Sequence, residues 1–216
     1  MISDTISPLF TSDTAQKALS WMEIYKVSHL PIVNNKKFLG LISESDIYDL
    51  NDPDLPIGAH KLNLFSPFVY KDDHIFTVIT LLAKLKITLI PVLDREDNYI
   101  GVISLQGVIK YFSKLISADN PGAILILEVS VHDYLLSQIA QIVESNNAKI
   151  LALYIENKPN STKMDIILKL NVVEISSIIR TFERYEYKIK ATFSEETELE
   201  ELYKNRYELF MRLLNL

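Results

Sequence analysis

The sequence predicts an α/β fold for its first half and an α+β fold for its second half. An internal repeat with an offset of 60 residues organises the first half. The apolar periodicity changes after the turn-forming residues 119–122, which we interpret as a domain boundary. Beyond them, short strands and helices are predicted in the order βαββαβ, which is typical of ferredoxin-like domains.

The composition allows a sizeable core and argues against nucleic acid as a partner. Of the 216 residues, 48% are hydrophobic, which is enough for one or two domains. The chain has 22 basic and 28 acidic residues, a net charge of −6, and no basic run. Because such a chain gains little from a phosphate backbone or an anionic membrane, we expect neither partner.

Cysteine usage and the N-terminal residues bear on the compartment. The chain has no cysteine, which excludes disulfides, thiol catalysis and thiolate metal sites. Its first residues lack the basic region and the apolar stretch of a secretory signal. No apolar run approaches the roughly 20 residues that a membrane-spanning helix needs. The sequence therefore predicts a cytoplasmic protein.

The repeat aligns most of residues 13–31 with residues 73–91, and after a one-residue insertion it aligns residues 39–43 with residues 100–104. Two of the five glycines, Gly40 and Gly101, fall at equivalent positions. Each copy predicts a helix, a strand, a polar turn, a second strand and a second helix. One copy is too short to bury both faces of its sheet, so we expect the two copies to pack together.

The elements of the two copies have these predicted bounds. In the first copy they are a helix from residues 13–14, strands at 29–33 and 38–42, and a helix opening at Ser43. In the second copy they are a helix at 74–86, strands at 88–93 and 99–103, and a helix at 105–115. The pattern of a helix, h-x-h-P-h-h, a turn and G-h-h-S-x-x-D resembles the CBS domain.

A tandem pair of CBS domains resembles a Bateman module, and the resemblance covers roughly residues 1–116. We place repeat 1 at residues 1–58 and repeat 2 at residues 59–118. The resemblance implies an adenine nucleotide ligand, which is AMP, ADP, ATP or S-adenosylmethionine, and no required cofactor. It implies that Ser43 approaches phosphate and that Asp46 accepts hydrogen bonds from the ribose hydroxyls.

Further ligand contacts follow from the same resemblance. His29 stands where the family often has a basic phosphate contact, and Leu9, Phe10 and Leu30 are expected to line an adenine slot. The second copy has Gly107 at the position of Asp46 and Leu89 at the position of His29. The sequence therefore predicts one nucleotide, bound mainly by the first copy.

A purely structural interpretation of the same motif stays open. Ser43 and Asp46 have the spacing of a helix capping box, which needs no ligand. Acidic residues are also favoured in the first turn of a helix by its dipole. The two interpretations differ in whether Asp46 faces an open cleft or only its own helix terminus.

The second module, residues 119–194, resembles the ACT domain over residues 122–194. Together with the CBS pair, it resembles the acetoin-utilisation accessory proteins and related CBS-ACT regulators. ACT domains that bind amino acids typically have a glycine in the loop after the first strand, where the backbone approaches the ligand. Residues 131–135 contain no glycine. We therefore expect a dimerising sheet without an amino-acid ligand.

Residues 195–216 have the apolar spacing of an amphipathic helix, with acidic residues at the start and Arg212 near the end. We expect this helix to dock on the chain's own domains or on a second subunit.

No catalytic signature is present, since the sequence lacks Walker A, Gly-x-Ser-x-Gly and Gly-x-Gly-x-x-Gly motifs and a helical histidine pair. The sequence predicts a non-enzymatic, homodimeric regulator that senses an adenine nucleotide and acts on an unknown partner protein. The alternative is a ligand-free dimeric scaffold with the same CBS and ACT-like architecture.

Overall fold

The computed structural model describes residues 2, 6–50, 52, 54–62 and 64–194. The chain divides into two compact units, Met1–Phe112 and Ser113–Leu216, and each is described by itself. The helix predicted for residues 195–216 lies outside the described residues.

The first repeat contains two helices and an antiparallel hairpin. Its elements are α1 (Ala15–Tyr25), β1 (His29–Asn34), β2 (Lys37–Ser43) and α2 (Glu44–Tyr48). The Thr14 side chain caps α1 by accepting a hydrogen bond from the Lys17 N–H. The residue that follows α1, Lys26, has the left-handed conformation that ends many helices. The hairpin turns through Asn35 and Lys36, whose φ angles of 47° and 66° suit the tight turns between antiparallel strands.

The second repeat has the same order of elements. They are β3 (Val69–Tyr70), α3 (Ile75–Leu85), β4 (Leu89–Leu93), β5 (Tyr99–Ser104) and α4 (Leu105–Leu115). The short strand β3 pairs in parallel with β4, and in the first repeat Leu9 forms the equivalent parallel bridge with Ile32. Neither β3 nor the 3₁₀ turn at Ile57–Ala59 is predicted by the sequence pattern.

One hydrophobic core runs through both repeats of the first unit. Strand β1 contacts β4 across the repeat boundary, and the Ser28 N–H donates to Thr88 Oγ1 at 3.0 Å. The core holds side chains at equivalent positions of the two copies. These include Leu30 and Ile90, Met22 and Leu82, and Val27 and Ile87. The two copies therefore share one core.

The second unit has the element order βαββαβ. Its elements are β6 (Ile124–Ser130), α5 (Leu136–Ser145), β7 (Ile150–Asn157), β8 (Lys163–Leu170), α6 (Ser176–Arg184) and β9 (Lys188–Phe193). The strands form one sheet in the order β7-β8-β6-β9, and every neighbouring pair is antiparallel. Residues of α5 and α6 such as Ile139 and Phe182 share a core with Leu127 and Ile166, so the helices cover one face of the sheet.

Candidate functional site

Three of the predicted site residues come together where β2 passes into α2. The hairpin register places His29 of β1 opposite Ser43 of β2. Ser43 is the N-cap of α2, and Asp46 lies in the first turn of that helix. Hairpin register and helix spacing therefore bring an imidazole, a hydroxyl and a carboxylate to one end of the first repeat.

The capping box predicted for this motif is formed. The Asp46 N–H donates to Ser43 Oγ at 3.1 Å, and the Ser43 N–H donates to Asp46 Oδ2 at 2.8 Å. Ser43 Oγ also donates to Asp46 Oδ2 at 2.6 Å. Asp46 nevertheless stays exposed to solvent. Because α2 has only five residues, its dipole adds little to the attraction for phosphate.

His29 lies half-buried at the boundary between the repeats. Its Nδ1 is 3.2 Å from Thr88 Oγ1, a contact to the second repeat that the sequence analysis missed. The repeat alignment matches Thr88 to Ser28, the residue before His29, and this match was the sequence signal for the contact. Thr88 therefore fixes the orientation of the imidazole ring.

Burial lowers the pKa of His29 below its ordinary value of 6.5, and the nearby Asp46 carboxylate opposes that shift. Desolvation therefore disfavours the charged imidazolium that a basic phosphate contact would use. Because folding favours the neutral ring, its contribution to stability is present above about pH 6.5 and is lost as the pH falls through the lowered pKa.

The three apolar residues predicted to line an adenine slot differ in exposure. Phe10 is 48% exposed, but Leu9 and Leu30 are each 0% exposed. The Leu9 N–H donates to the Pro31 carbonyl, and the Leu9 carbonyl accepts from the Val33 N–H. This backbone pairing places the Leu9 side chain in the core. A ligand reaches Leu9 and Leu30 only by displacing the core side chains around them, so Phe10 is the accessible member.

The equivalent position in the second repeat keeps the hydroxyl and lacks the other two groups. Ser104 Oγ accepts a hydrogen bond from the Gly107 N–H at 3.1 Å, which matches half of the first-repeat capping box. Gly107 supplies no carboxylate. Leu89, which replaces His29, is 0% exposed and belongs to the core.

A groove with a volume of about 530 Å³ lies elsewhere in the first repeat, between α1 and α2. Glu23, Lys26 and Glu44 contribute charged groups to it, and none of the six predicted site residues lines it. An equivalent groove of about 330 Å³ lies between α3 and α4, with Ala83 and Leu105 at the positions of the two glutamates. The sequence analysis missed both grooves. The repeat alignment nevertheless shows that the two glutamates of the first groove are replaced by apolar residues in the second copy.

Two further properties concern the described part of the chain alone. Within it, no group of three or more histidine, aspartate and glutamate side chains is arranged to hold a metal ion. Among the helices described, none combines the length and the apolar character that crossing a membrane requires.

The two repeats match a known domain family. A sequence model of the CBS domain matches residues 8–51 and residues 65–114. The first half of the chain is a tandem CBS domain pair. The matched ranges contain both hairpins and both G-h-h-S motifs of this Bateman module.

Curated relatives match about half of the chain. The protein is 26% identical over 115 residues to homoserine O-acetyltransferase of Methanococcus vannielii, a match to 50% of this chain and 23% of that protein. It is 27% identical over 107 residues to inosine-5'-monophosphate dehydrogenase of Methanocaldococcus jannaschii, a match to 49% of this chain and 21% of that protein. The chain thus spans less than a quarter of either relative.

Solved structures with CBS domains are also similar. A CBS domain pair/ACT domain protein from Thermotoga maritima is 23% identical with a TM-score of 0.46, over 52% of this chain and 93% of that one. The structure of CBSX2 in complex with AMP is 18% identical with a TM-score of 0.45, over 53% of this chain and 92% of that one.

Proposed function

We propose that this protein is a non-enzymatic cytoplasmic regulator whose CBS pair binds one adenine nucleotide per chain, at the first repeat. In this proposal, the bound nucleotide changes the contacts within a homodimer, and a partner protein responds to that change. The observation that carries the proposal is the convergence of His29, Ser43 and Asp46 at an exposed helix start.

Each of these groups has a distinct role in the proposal. The Asp46 carboxylate accepts hydrogen bonds from the ribose diol, an interaction that charge strengthens. Ser43 and its backbone N–H turn toward phosphate as Asp46 Oδ2 releases them. The His29 ring, held by Thr88, donates to a phosphate oxygen from the ring nitrogen that Thr88 does not engage.

The homodimer of this proposal has support on the helices of the second repeat. Phe76 and Ile109 are 59% and 61% exposed, and Leu105 of the α3–α4 groove is 43% exposed. Exposed apolar side chains of this kind mark interaction surfaces. We propose a twofold dimer that buries them.

We further propose that the βαββαβ module is an ACT-like domain that strengthens the dimer without binding an amino acid. The four-stranded antiparallel order supports the ferredoxin-like class. The loop between β6 and α5 has no glycine to let a ligand approach the backbone.

A specific observation favours a second candidate function, the ligand-free scaffold. The capping box satisfies Asp46 and Ser43 with each other, so neither group needs a ligand. In that case the CBS pair holds the dimer constitutively, and Asp46 serves only to start α2.

A thermal-shift screen of the full chain separates the two candidates. We expect one of AMP, ADP, ATP and S-adenosylmethionine to raise the melting temperature, because a ligand at 100 times its Kd adds about 2.7 kcal/mol to the free energy of unfolding. Adenine alone and phosphate alone serve as controls. If none of the four ligands shifts the melting temperature at millimolar concentration, the scaffold is the better account.

A further inference from the structure

The face of the second-unit sheet that points away from α5 and α6 is unusually apolar. Strand alternation puts Leu125 and Leu127 on the helix side, so Ile124 and Ile126 lie on the opposite side, which we call the outer face. The register adds further half-buried or exposed side chains to the outer face. They are Ala152 and Tyr154 of β7, Ile167 of β8, and Ala191 and Phe193 of β9.

An antiparallel sheet that leaves one face in water normally alternates apolar and polar residues. On β6, this alternation fails for Ile124 and Ile126, and it is kept only at Glu128 and Ser130. Phe193 is 55% exposed at the end of β9. An apolar sheet face of this kind is stabilised when another helix, strand or subunit packs on it and removes it from water.

One end of the outer face carries a network of charges with an excess of lysines. Glu128 accepts from Lys158 at 3.3 Å, from Lys163 at 3.0 Å and from Lys188 at 2.9 Å. These three lysines lower the pKa of Glu128 to about 2. The nearby Asp165 is 1% exposed and pairs with Lys158 and Lys190.

Further along the same face, Lys169 extends beside Ile124 and donates to the Gly122 carbonyl at 3.1 Å. The outer face therefore combines an apolar centre with more basic than acidic groups. A matching cover has an apolar stripe and a net negative charge.

We propose that the chain's own residues 195–216 cover this outer face. The segment has six acidic and three basic residues, and five of its acids lie between Glu195 and Glu201. Its apolar residues recur at helical spacing and form one stripe. They are Leu199, Leu202, Tyr203, Phe210, Leu213 and Leu214.

The starting point and the size of the segment agree with this assignment. The segment follows directly on β9, the edge strand that ends at Phe193, so no long connection is needed. A helix over residues 199–214 is about 24 Å long. Strands of seven to eight residues, such as β6 and β8, are about 23–27 Å long, so such a helix matches the length of the face.

Disulfide trapping in the full chain tests this placement, because the protein has no cysteine of its own. The test variants combine Ile167→Cys on the outer face with either Leu202→Cys or Phe210→Cys. A second outer-face position, Ile126→Cys, repeats the test if the Ile167 variants do not fold. Under mild oxidation, we expect at least one pair to form a disulfide within a single chain, which non-reducing electrophoresis detects as a faster-running monomer.

The matched control places the same change on the opposite face of the sheet. Ile155 of β7 is 42% exposed and pairs with the core residue Ile166. We expect Ile155→Cys to form disulfides with the same segment cysteines at least tenfold more slowly. Absence of disulfide in the outer-face variants, or equal rates in the control, would overturn the proposal. Disulfides that join two chains would also overturn it, since they would make a second copy the occupant.

Discussion

The two CBS repeats share a framework and differ in the chemistry at the equivalent positions. Both have the hairpin, the left-handed residue after the first helix and a serine that caps the second helix. In the first repeat, His29 and Asp46 join Ser43, whereas Leu89 and Gly107 stand there in the second. The fold therefore constrains the apolar and turn positions, while the polar groups of the site vary independently.

The helix faces show the same contrast. In the first repeat, Glu23 and Glu44 line the α1–α2 groove together with Lys26, whereas Ala83 and Leu105 stand at the positions of the two glutamates in the second groove. The charged groups of the first groove lie apart from the predicted site residues, and the apolar second groove is part of the surface that we propose to be buried in a homodimer.

The largest expected effect concerns a glycine of the shared framework. An added Cβ at Gly40, where φ is +157°, would lie 2.5 Å from Leu64 Cβ. We expect Gly40→Ala to lower the free energy of unfolding by about 3 kcal/mol, because overpacking and backbone strain add. Urea unfolding followed by circular dichroism measures this change.

The control for Gly40→Ala is Gly107→Ala in the second repeat. There the nearest atom to an added Cβ is Ser104 Oγ at 3.3 Å, and Gly107 lies inside α4. We expect no loss of stability, or a gain of up to about 1 kcal/mol from helix propensity. Equal losses of unfolding free energy in the two variants would show that Leu64 does not approach Gly40 as closely as the structure has it.

A smaller effect is expected when the second repeat receives the missing carboxylate. Gly107→Asp completes the capping box with Ser104, so we expect a gain of about 0.5–1.5 kcal/mol in the free energy of unfolding. The same variant should not add a nucleotide site, since Leu89 is buried and offers no hydrogen bond. Binding of a second nucleotide by Gly107→Asp would show that the carboxylate alone defines the site.

The sequence pattern predicted the bounds of the elements in the two repeats closely, and in the second unit it predicted their order. The predicted helix at 105–115 has the observed bounds, and the helix predicted at 74–86 is observed at Ile75–Leu85. Strand β3 escaped prediction because two residues are too few to show a periodicity. Periodicity reports which face of an element is apolar, and this information is sufficient for bounds of this accuracy.

The site was less accessible to sequence reasoning. The motif located Ser43 and Asp46, but the burial of His29 and its contact with Thr88 depend on how the repeats pack together. Leu9 and Leu30 are apolar in sequence whether they face a ligand or the core, so only the fold distinguishes the two. The charge network around Asp165 joins three strands and a loop, and no local pattern indicates it.

Titration calorimetry with the nucleotide that gives the largest thermal shift tests the central claim that the first repeat alone holds a ligand. We expect one nucleotide per chain and a 10- to 100-fold weaker affinity for Asp46→Asn, because a charge-assisted hydrogen bond contributes roughly 1.5–3 kcal/mol. Asp49→Asn makes the same change at an exposed position beyond the capping box and should leave the affinity within about twofold. Unchanged affinity in Asp46→Asn, or two nucleotides per chain in the unaltered protein, would contradict the account.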